Sequence, residues 1–150
     1  MDPRAEGDLL SLAAGVRAAL PALAHQHTVL YIEDNLSNVS LIDHLLGRVT
    51  GVRLLTAMQG SMGLDLAREH QPDLILLDMN LPDIMGDEVL RRLQADPQTC
   101  RIPVVVLSAD ALPSNMARMR EAGALAYLTK PLDVKLFLTT LEEIFAQREG

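Results

Sequence analysis

Cysteine is nearly absent from this chain of 150 residues: Cys100 stands alone, so no internal disulfide can form. That accords with a reducing compartment, and the expected location is the cytoplasm. Aromatic residues are scarce, 3% of the chain with no Trp, so a core must rest on Leu, Val, Ile, Ala and Met. Long apolar runs are missing as well. A bilayer span needs ~18 apolar residues, and Arg17 and Pro21 interrupt the one candidate stretch, Leu9 to Ala24. The opening from Met1 to Glu6 is mixed and net acidic, unlike the basic start of a secretory leader. Positive charge is in deficit, with 13 Lys and Arg against 20 Asp and Glu and a net charge of −7. Such a surface repels phosphate backbones and disfavours direct nucleic-acid binding. What the chain has in abundance is aliphatic residue: 49% is hydrophobic, enough for one compact domain with a proper core.

Two regions follow from the pattern. Residues 1–27 form a preface, with a helix expected from Asp8 to Leu20 and then a short polar run ending His25-Gln26-His27. Residues 28–147 are strongly regular, and residues 148–150 are a tail. Val29 to Ile32 is a short apolar run that predicts a buried strand. Asn35 can cap a helix to Leu46 whose apolar stripe comprises Leu36, Val39, Leu41, Ile42, Leu45 and Leu46. Val52 to Ala57 predicts a second strand, and Ser61 to His70 a helix stopped by Pro72. Leu74 to Leu77 predicts a third strand running straight into Asp78. A loop with Pro82 and Gly86 leads to a helix ending near Ala95. Val104 to Leu107 is the fourth strand, Ser114 to Gly123 a helix, Ala126 to Thr129 the fifth strand, and Asp133 opens a last helix to Gln147. Continuous apolar strands alternating with amphipathic helices imply an α/β fold, a doubly wound (βα)5 with a parallel five-stranded sheet covered on both faces.

Ligands of such sheets sit beyond the carboxyl ends of the strands. Glu33 and Asp34 follow the first strand, Asp78 the third, Ser108 the fourth and Lys130 the fifth. These ends converge in space. Two like charges ~4 Å apart repel by about 4 kcal/mol at an effective dielectric of ~20. A carboxylate trio therefore raises its pKa values or takes a cation. Hard oxygen ligands with room for water suit Mg²⁺, with Mn²⁺ as an alternative. Lys130 adds a movable positive charge and Ser108 a hydroxyl donor, so that a phosphoryl group on Asp78 would be surrounded by compensating groups. Singly, each residue has a plainer reading. Asp34 could be a helix cap, Ser108 a turn residue and Lys130 a solvated lysine. Asp78 resists one, because an acid ending a Leu-Ile-Leu-Leu strand is costly to bury.

Those motifs carry a resemblance. Tyr31-Ile32-Glu33-Asp34-Asn35, Asp73 through Asp78, Leu81-Pro82-Asp83 through Gly86, Val106-Leu107-Ser108-Ala109, Gly123-Ala124 and Lys130-Pro131 resemble the response-regulator receiver domain of two-component signalling. The resemblance covers about four-fifths of the chain, and the spacing of Asp34, Asp78, Ser108 and Lys130 is similar to that of chemotaxis receivers. It implies the flavodoxin-like receiver fold, with Asp78 as phospho-acceptor. It further implies Mg²⁺ held by Glu33, Asp34, Asp78 and the carbonyl of Asn80, and a cis Lys130-Pro131 bond. Tyr127 would be the switch aromatic, moving inward when Ser108 shifts toward the phosphoryl group. Without the resemblance Tyr127 reads as a half-buried strand aromatic. The implied partner is a histidine kinase or histidine-phosphotransfer protein, docking on Leu36, Ser37, Val39 and Ser40, with neither nucleic acid nor membrane in contact; the plainer reading of Leu36 and Val39, equally good for Val39, is that they pack on the sheet. The chain would be no enzyme beyond catalysing its own phosphorylation and dephosphorylation. The Glu33-Asp34-Asn35-Leu36-Ser37-Asn38 opening resembles receivers of hybrid histidine kinases, and no output domain follows Gln147, so a single-domain regulator or a segment of a hybrid kinase is expected. Leu125 and Ala126 stand where winged-helix transcription-factor receivers often carry acids.

Other readings fare worse. A haloacid-dehalogenase-like phosphatase needs a second acid two residues after the first, and Asn80 stands there. His44 lacks the surroundings of a kinase histidine box, and the chain has no glycine-rich nucleotide loop. His25 and His27 read as linker residues rather than metal ligands, and Met116 and Met119 as helix packing. The remaining rival is a pseudo-receiver used only as a binding module, but such modules lose the acceptor, the acid pair or the lysine, and all are present.

Overall fold

The computed structural model describes residues 26–49 and 51–149. The helix expected over Asp8 to Leu20 lies outside them. Among the described residues five strands alternate with five helices: β1 (His27–Ile32), α1 (Leu36–Leu46), β2 (Val52–Ala57), α2 (Gly60–His70), β3 (Leu74–Asp78), α3 (Gly86–Ala95), β4 (Val104–Ser108), α4 (Pro113–Glu121), β5 (Ala126–Thr129) and α5 (Val134–Glu149). All strand pairs are parallel, and the spatial order is β2-β1-β3-β4-β5. This is the flavodoxin-like arrangement. The chain steps one way from β1 to β2 and the other way to β3. The reversal opens a crevice between the carboxyl ends of β1 and β3, the switch point where doubly wound sheets bind ligands.

Strand alternation sorts the core into two layers. Leu30, Ile32, Ile75, Leu77, Val104 and Val106 face α2, α3 and α4, packing on Leu64, Ala67, Val89, Leu90, Leu93 and Met119. Val29, Tyr31, Leu74, Leu76, Val105 and Leu107 face α1 and α5, packing on Ile42, Leu45, Leu46, Phe137, Leu141 and Phe145. Burying each such side chain contributes about 1.5–3 kcal/mol, so β1, β3 and β4 form a stiff platform under the site.

The helix starts follow local chemistry. Asn35 caps α1 by accepting from the N–H of Asn38 at 3.1 Å. Asp87 and Glu88 sit in the first turn of α3, favourable to the helix dipole, and Pro113 opens α4. Asp133 accepts from the N–H of Leu136 at 3.0 Å at the start of α5.

Two details depart from the sequence expectation, and a third adds to it. β1 begins at His27, whose ring stacks on Phe145 with centroids 4.3 Å apart. The α1 stripe is narrower than its apolar composition: Leu36 is 67% and Leu41 47% exposed, and only Ile42, Leu45 and Leu46 are buried. Helix α2 is capped from outside, because the carboxylate of Asp83 accepts from the N–H groups of Gly60 at 2.7 Å and Ser61 at 3.0 Å. No helix among the described residues is long and apolar enough to cross a membrane.

Candidate functional site

Glu33 and Asp34 leave the end of β1, and Asp78 is the last residue of β3. Strands β1 and β3 are neighbours, with Ile32 opposite Leu77, so the acids following them meet. One carboxylate oxygen from each of Glu33, Asp34 and Asp78 lies within 4.8 Å of the others. Glu33 is 1% and Asp78 4% exposed, whereas Asp34 is open to solvent. Lys130, which follows β5, reaches over the sheet end. Its Nζ is 2.8 Å from Asp78 Oδ1 and 3.4 Å from Glu33 Oε1. The Lys130-Pro131 bond is cis.

The electrostatics follow from this crowding. Burial raises the pKa of Asp78, and Glu33 adds to the rise against the opposing hydrogen bond from Lys130. Burial works against the Lys130 ammonium, but its hydrogen bond to Asp78 and the charges of Asp78 and Glu33 prevail and raise its pKa. Three carboxylates and one ammonium leave two negative charges uncompensated. A divalent cation matches that deficit. All the donors are hard oxygens, and the exposed side at Asp34 leaves room for coordinated water. The cluster therefore fits such an ion.

The loop after β3 closes tightly. The N–H of Asn80 donates to Asp78 Oδ2 at 3.0 Å, and the N–H of Gly86 donates to the carbonyl of Met79 at 3.0 Å. A Cβ at Gly86 would stand 2.6 Å from Met79 Cα and 2.7 Å from the carbonyl oxygen of Asp78, so only glycine lets the loop fold back here. Asn80 is exposed beside the acids.

Ser108 ends β4, one residue beyond Leu107, the register partner of Asp78. It is 4% exposed, and its Oγ accepts from the N–H of Asp110 at 3.1 Å. The ring of Tyr127 is 5% exposed, and its hydroxyl donates to the carbonyl of Asp110 at 2.7 Å. The resemblance implied a ring that moves inward on activation; here it already lies inward. Ser108 and Tyr127 are thus joined through Asp110, whose carboxylate also accepts from the N–H of Leu112 and from Asn115 Nδ2.

Sequence reasoning assigned no role of their own to Asp83, Tyr31 and Asn38 and did not single out Asp110. Tyr31 Oη donates to Glu33 Oε1 at 3.1 Å, and Asn38 Nδ2 to the same oxygen at 2.9 Å. Strand alternation offered a signal for Tyr31, since residues two apart share a face. Of the contacts expected on α1, Leu36, Ser37 and Ser40 are exposed, but Val39 is half-buried and packs on the α1/α5 layer.

A parallel (βα)5 sheet with an acid trio and a lysine at its switch point is the arrangement of a signalling receiver, and the sequence pattern of the response regulator receiver domain matches residues 29–142. The chain belongs to that family, the receiver domains of two-component response regulators. Among its relatives is the polar-differentiation response regulator DivK of Brucella anthropi, 38% identical over 115 residues, which span 77% of this chain and 93% of that one. Among solved structures it is similar to a response regulator from Chloroflexus aurantiacus, with a TM-score of 0.75 and 27% identity over 81% of this chain and 98% of that one. It is also similar to the receiver domain of a Pseudomonas aeruginosa sensor histidine kinase, with a TM-score of 0.73 and 27% identity over 81% of this chain and 98% of that one. That relative holds a magnesium ion coordinated in its active-site cleft.

Proposed function

We propose that this receiver accepts a phosphoryl group on Asp78 from a phosphohistidine of a histidine kinase or histidine-phosphotransfer protein. An oxygen of Asp78 bonds to phosphorus as the N–P bond of the donor breaks and the imidazole departs. The single observation that carries the reading is the contact of Lys130 Nζ with Asp78 Oδ1 at 2.8 Å inside the acid trio. Lys130 follows the incoming charge and holds one phosphoryl oxygen; the hydroxyl of Ser108 donates to another. Glu33, Asp34, Asp78 and the carbonyl of Asn80 would hold Mg²⁺, or Mn²⁺ in its place, which neutralises phosphoryl charge when bound. The chemistry ends with this chain's own phosphorylation and dephosphorylation.

The output is a switch through Asp110. When Ser108 Oγ turns to a phosphoryl oxygen, it gives up the N–H of Asp110, and Asp110 carries the acceptor of the Tyr127 hydroxyl. Charge arriving at Asp78 thereby shifts the β4–α4 loop and the face formed by α4, β5 and α5. The donor docks along α1, where Leu36, Ser37, Ser40 and Leu41 are exposed. Leu41 borders a cleft that also contains Lys130 and Pro131. The Glu33-Asp34-Asn35 opening supports a phosphorelay donor. The net charge of −7 speaks against DNA as a direct partner.

Intact mass after incubation with acetyl phosphate tests the acceptor role. Wild type should gain one phosphoryl group with Mg²⁺ present and lose that gain in EDTA. Labelling of Asp78→Asn to the same extent as wild type would overturn the assignment.

A further inference from the structure

Tyr31 is 1% exposed and lies in the apolar layer under α1 and α5. Interior strands of a parallel sheet read as Val, Ile and Leu, and a hydroxyl in such a layer needs a partner. Its partner is Glu33 Oε1, at 3.1 Å. That oxygen also accepts from Asn38 Nδ2 at 2.9 Å and from Lys130 Nζ at 3.4 Å. The other oxygen of Glu33 accepts from the N–H of Asn35 at 3.2 Å. A buried carboxylate is thus held by four donors, and the longest of the contacts is the one to Lys130.

These donors differ in mobility. Tyr31 is fixed by the core around its ring, Asn38 by helix α1, and Asn35 by its place as the cap of that helix. Lys130 alone is shared with Asp78 and sits on a flexible stem. A phosphoryl group on Asp78 would draw Lys130 away from Glu33. Without Tyr31 and Asn38, Glu33 would hold the ammonium more tightly and would also lose its fixed direction.

We propose that Tyr31, with Asn38, is a positioning residue for phosphoryl acceptance: the two donors aim Glu33 at the cation site and leave Lys130 able to move to the phosphoryl group. This rests on the acceptor reading above and assigns to it a hydroxyl that core packing does not require. A phenylalanine would fill the same space.

Tyr31→Phe removes that one oxygen and keeps the ring. Hydrogen-bonding partners of metal ligands typically contribute about 10- to 100-fold to affinity or activity. With Asn38 and the Asn35 amide still in place, the effect should fall at the lower end. Calorimetric titration of the unphosphorylated variant with Mg²⁺ should show affinity about tenfold weaker, and acetyl phosphate labelling at saturating Mg²⁺ should be slower than in wild type. Asn38→Ala should shift both in the same direction. The decisive control is a double-mutant cycle. In a Glu33→Ala background, Tyr31→Phe should change Mg²⁺ affinity by less than about twofold, since the residue it acts through is gone. Unchanged affinity and rate in Tyr31→Phe would overturn the proposal, and so would an equal loss in the Glu33→Ala background. A wild type that takes no phosphoryl group overturns the acceptor reading instead, while the Mg²⁺ cycle still decides for or against Tyr31.

Discussion

Lys130 Nζ stands 2.8 Å from Asp78 Oδ1, although Asp78 ends β3 and Lys130 follows β5, the strands on either side of β4. The contact does two jobs. It offsets the charge of a buried acid, and it places a cation where a phosphoryl oxygen would arrive. Lys130→Ala should slow labelling by acetyl phosphate by about 10²-fold or more, the scale for removing one preorganised charge-stabilising donor. It should also destabilise the metal-free protein, by less than the ~3–5 kcal/mol of a fully buried pair, because the Lys130 side chain remains 28% exposed. Urea melts in EDTA would measure that part. Equal labelling rates in variant and wild type would remove Lys130 from the mechanism.

Asp34 is the exposed member of the acid trio, so its charge would act on a bound cation more than on the fold. Asp34→Asn should weaken Mg²⁺ binding by on the order of 1–3 kcal/mol, the scale of a lost charged hydrogen-bonding partner. Relief of repulsion toward Glu33 and Asp78 should leave the metal-free protein at least as stable. Calorimetric titration and a thermal melt in EDTA read the two effects separately. Identical Mg²⁺ affinity would place the cation elsewhere.

Much of the architecture was legible because strands buried on both faces have to be apolar throughout. Leu74 to Leu77 and Val104 to Leu107 are too short for a buried helix and read as strands, and the acids, serine and lysine that end such runs stand out against them. Contacts between remote residues were not legible. Nothing near Asp83 in sequence shows that its carboxylate caps Gly60 and Ser61. His27 reads as linker because Phe145, which it stacks on, is the whole domain away. Leu41 reads as part of the apolar stripe because α1 is apolar around more of its circumference than the sheet can cover, whereas Leu36, expected as an exposed contact, is exposed. The resemblance marked Tyr127 as mobile but could not show that the Asp110 carbonyl holds its ring inward.

The Asp83 cap ties stability to pH. The backbone N–H of Ser61, joined by that of Gly60, holds its carboxyl well below the usual carboxylate range. A group depressed in the fold contributes fully above its unfolded pKa and loses that contribution as pH falls through the folded value. Asp83→Ala should therefore melt below wild type at pH 7, and the gap should narrow as pH falls below the ordinary Asp value of 3.8. Glu88, lowered to about 2 by Arg91 and Arg92, is unchanged in both proteins and cancels from the comparison. A gap that stays constant between pH 7 and strong acid would mean the carboxylate charge has no part in the cap.

Leu36 is exposed at the start of α1, next to the acid pair. A charge there, in Leu36→Glu, should slow transfer from a phosphohistidine donor about tenfold or more, the range of a disrupted contact of ~1.4 kcal/mol or above. Acetyl phosphate labelling should be untouched, since the small donor needs no docking helix. Loss of both activities together would mean pocket damage. No change in either would move the docking surface away from α1.

The most direct measurement locates the phosphoryl group itself. After incubation with acetyl phosphate and Mg²⁺, borohydride reduction converts an aspartyl phosphate to homoserine, and peptide fragmentation reads its position. Homoserine should appear at Asp78 and at no other acid, and it should vanish when EDTA is present. Homoserine at Asp34, or at any other position with Asp78 unmodified, would contradict the assignment of Asp78 as the phospho-acceptor.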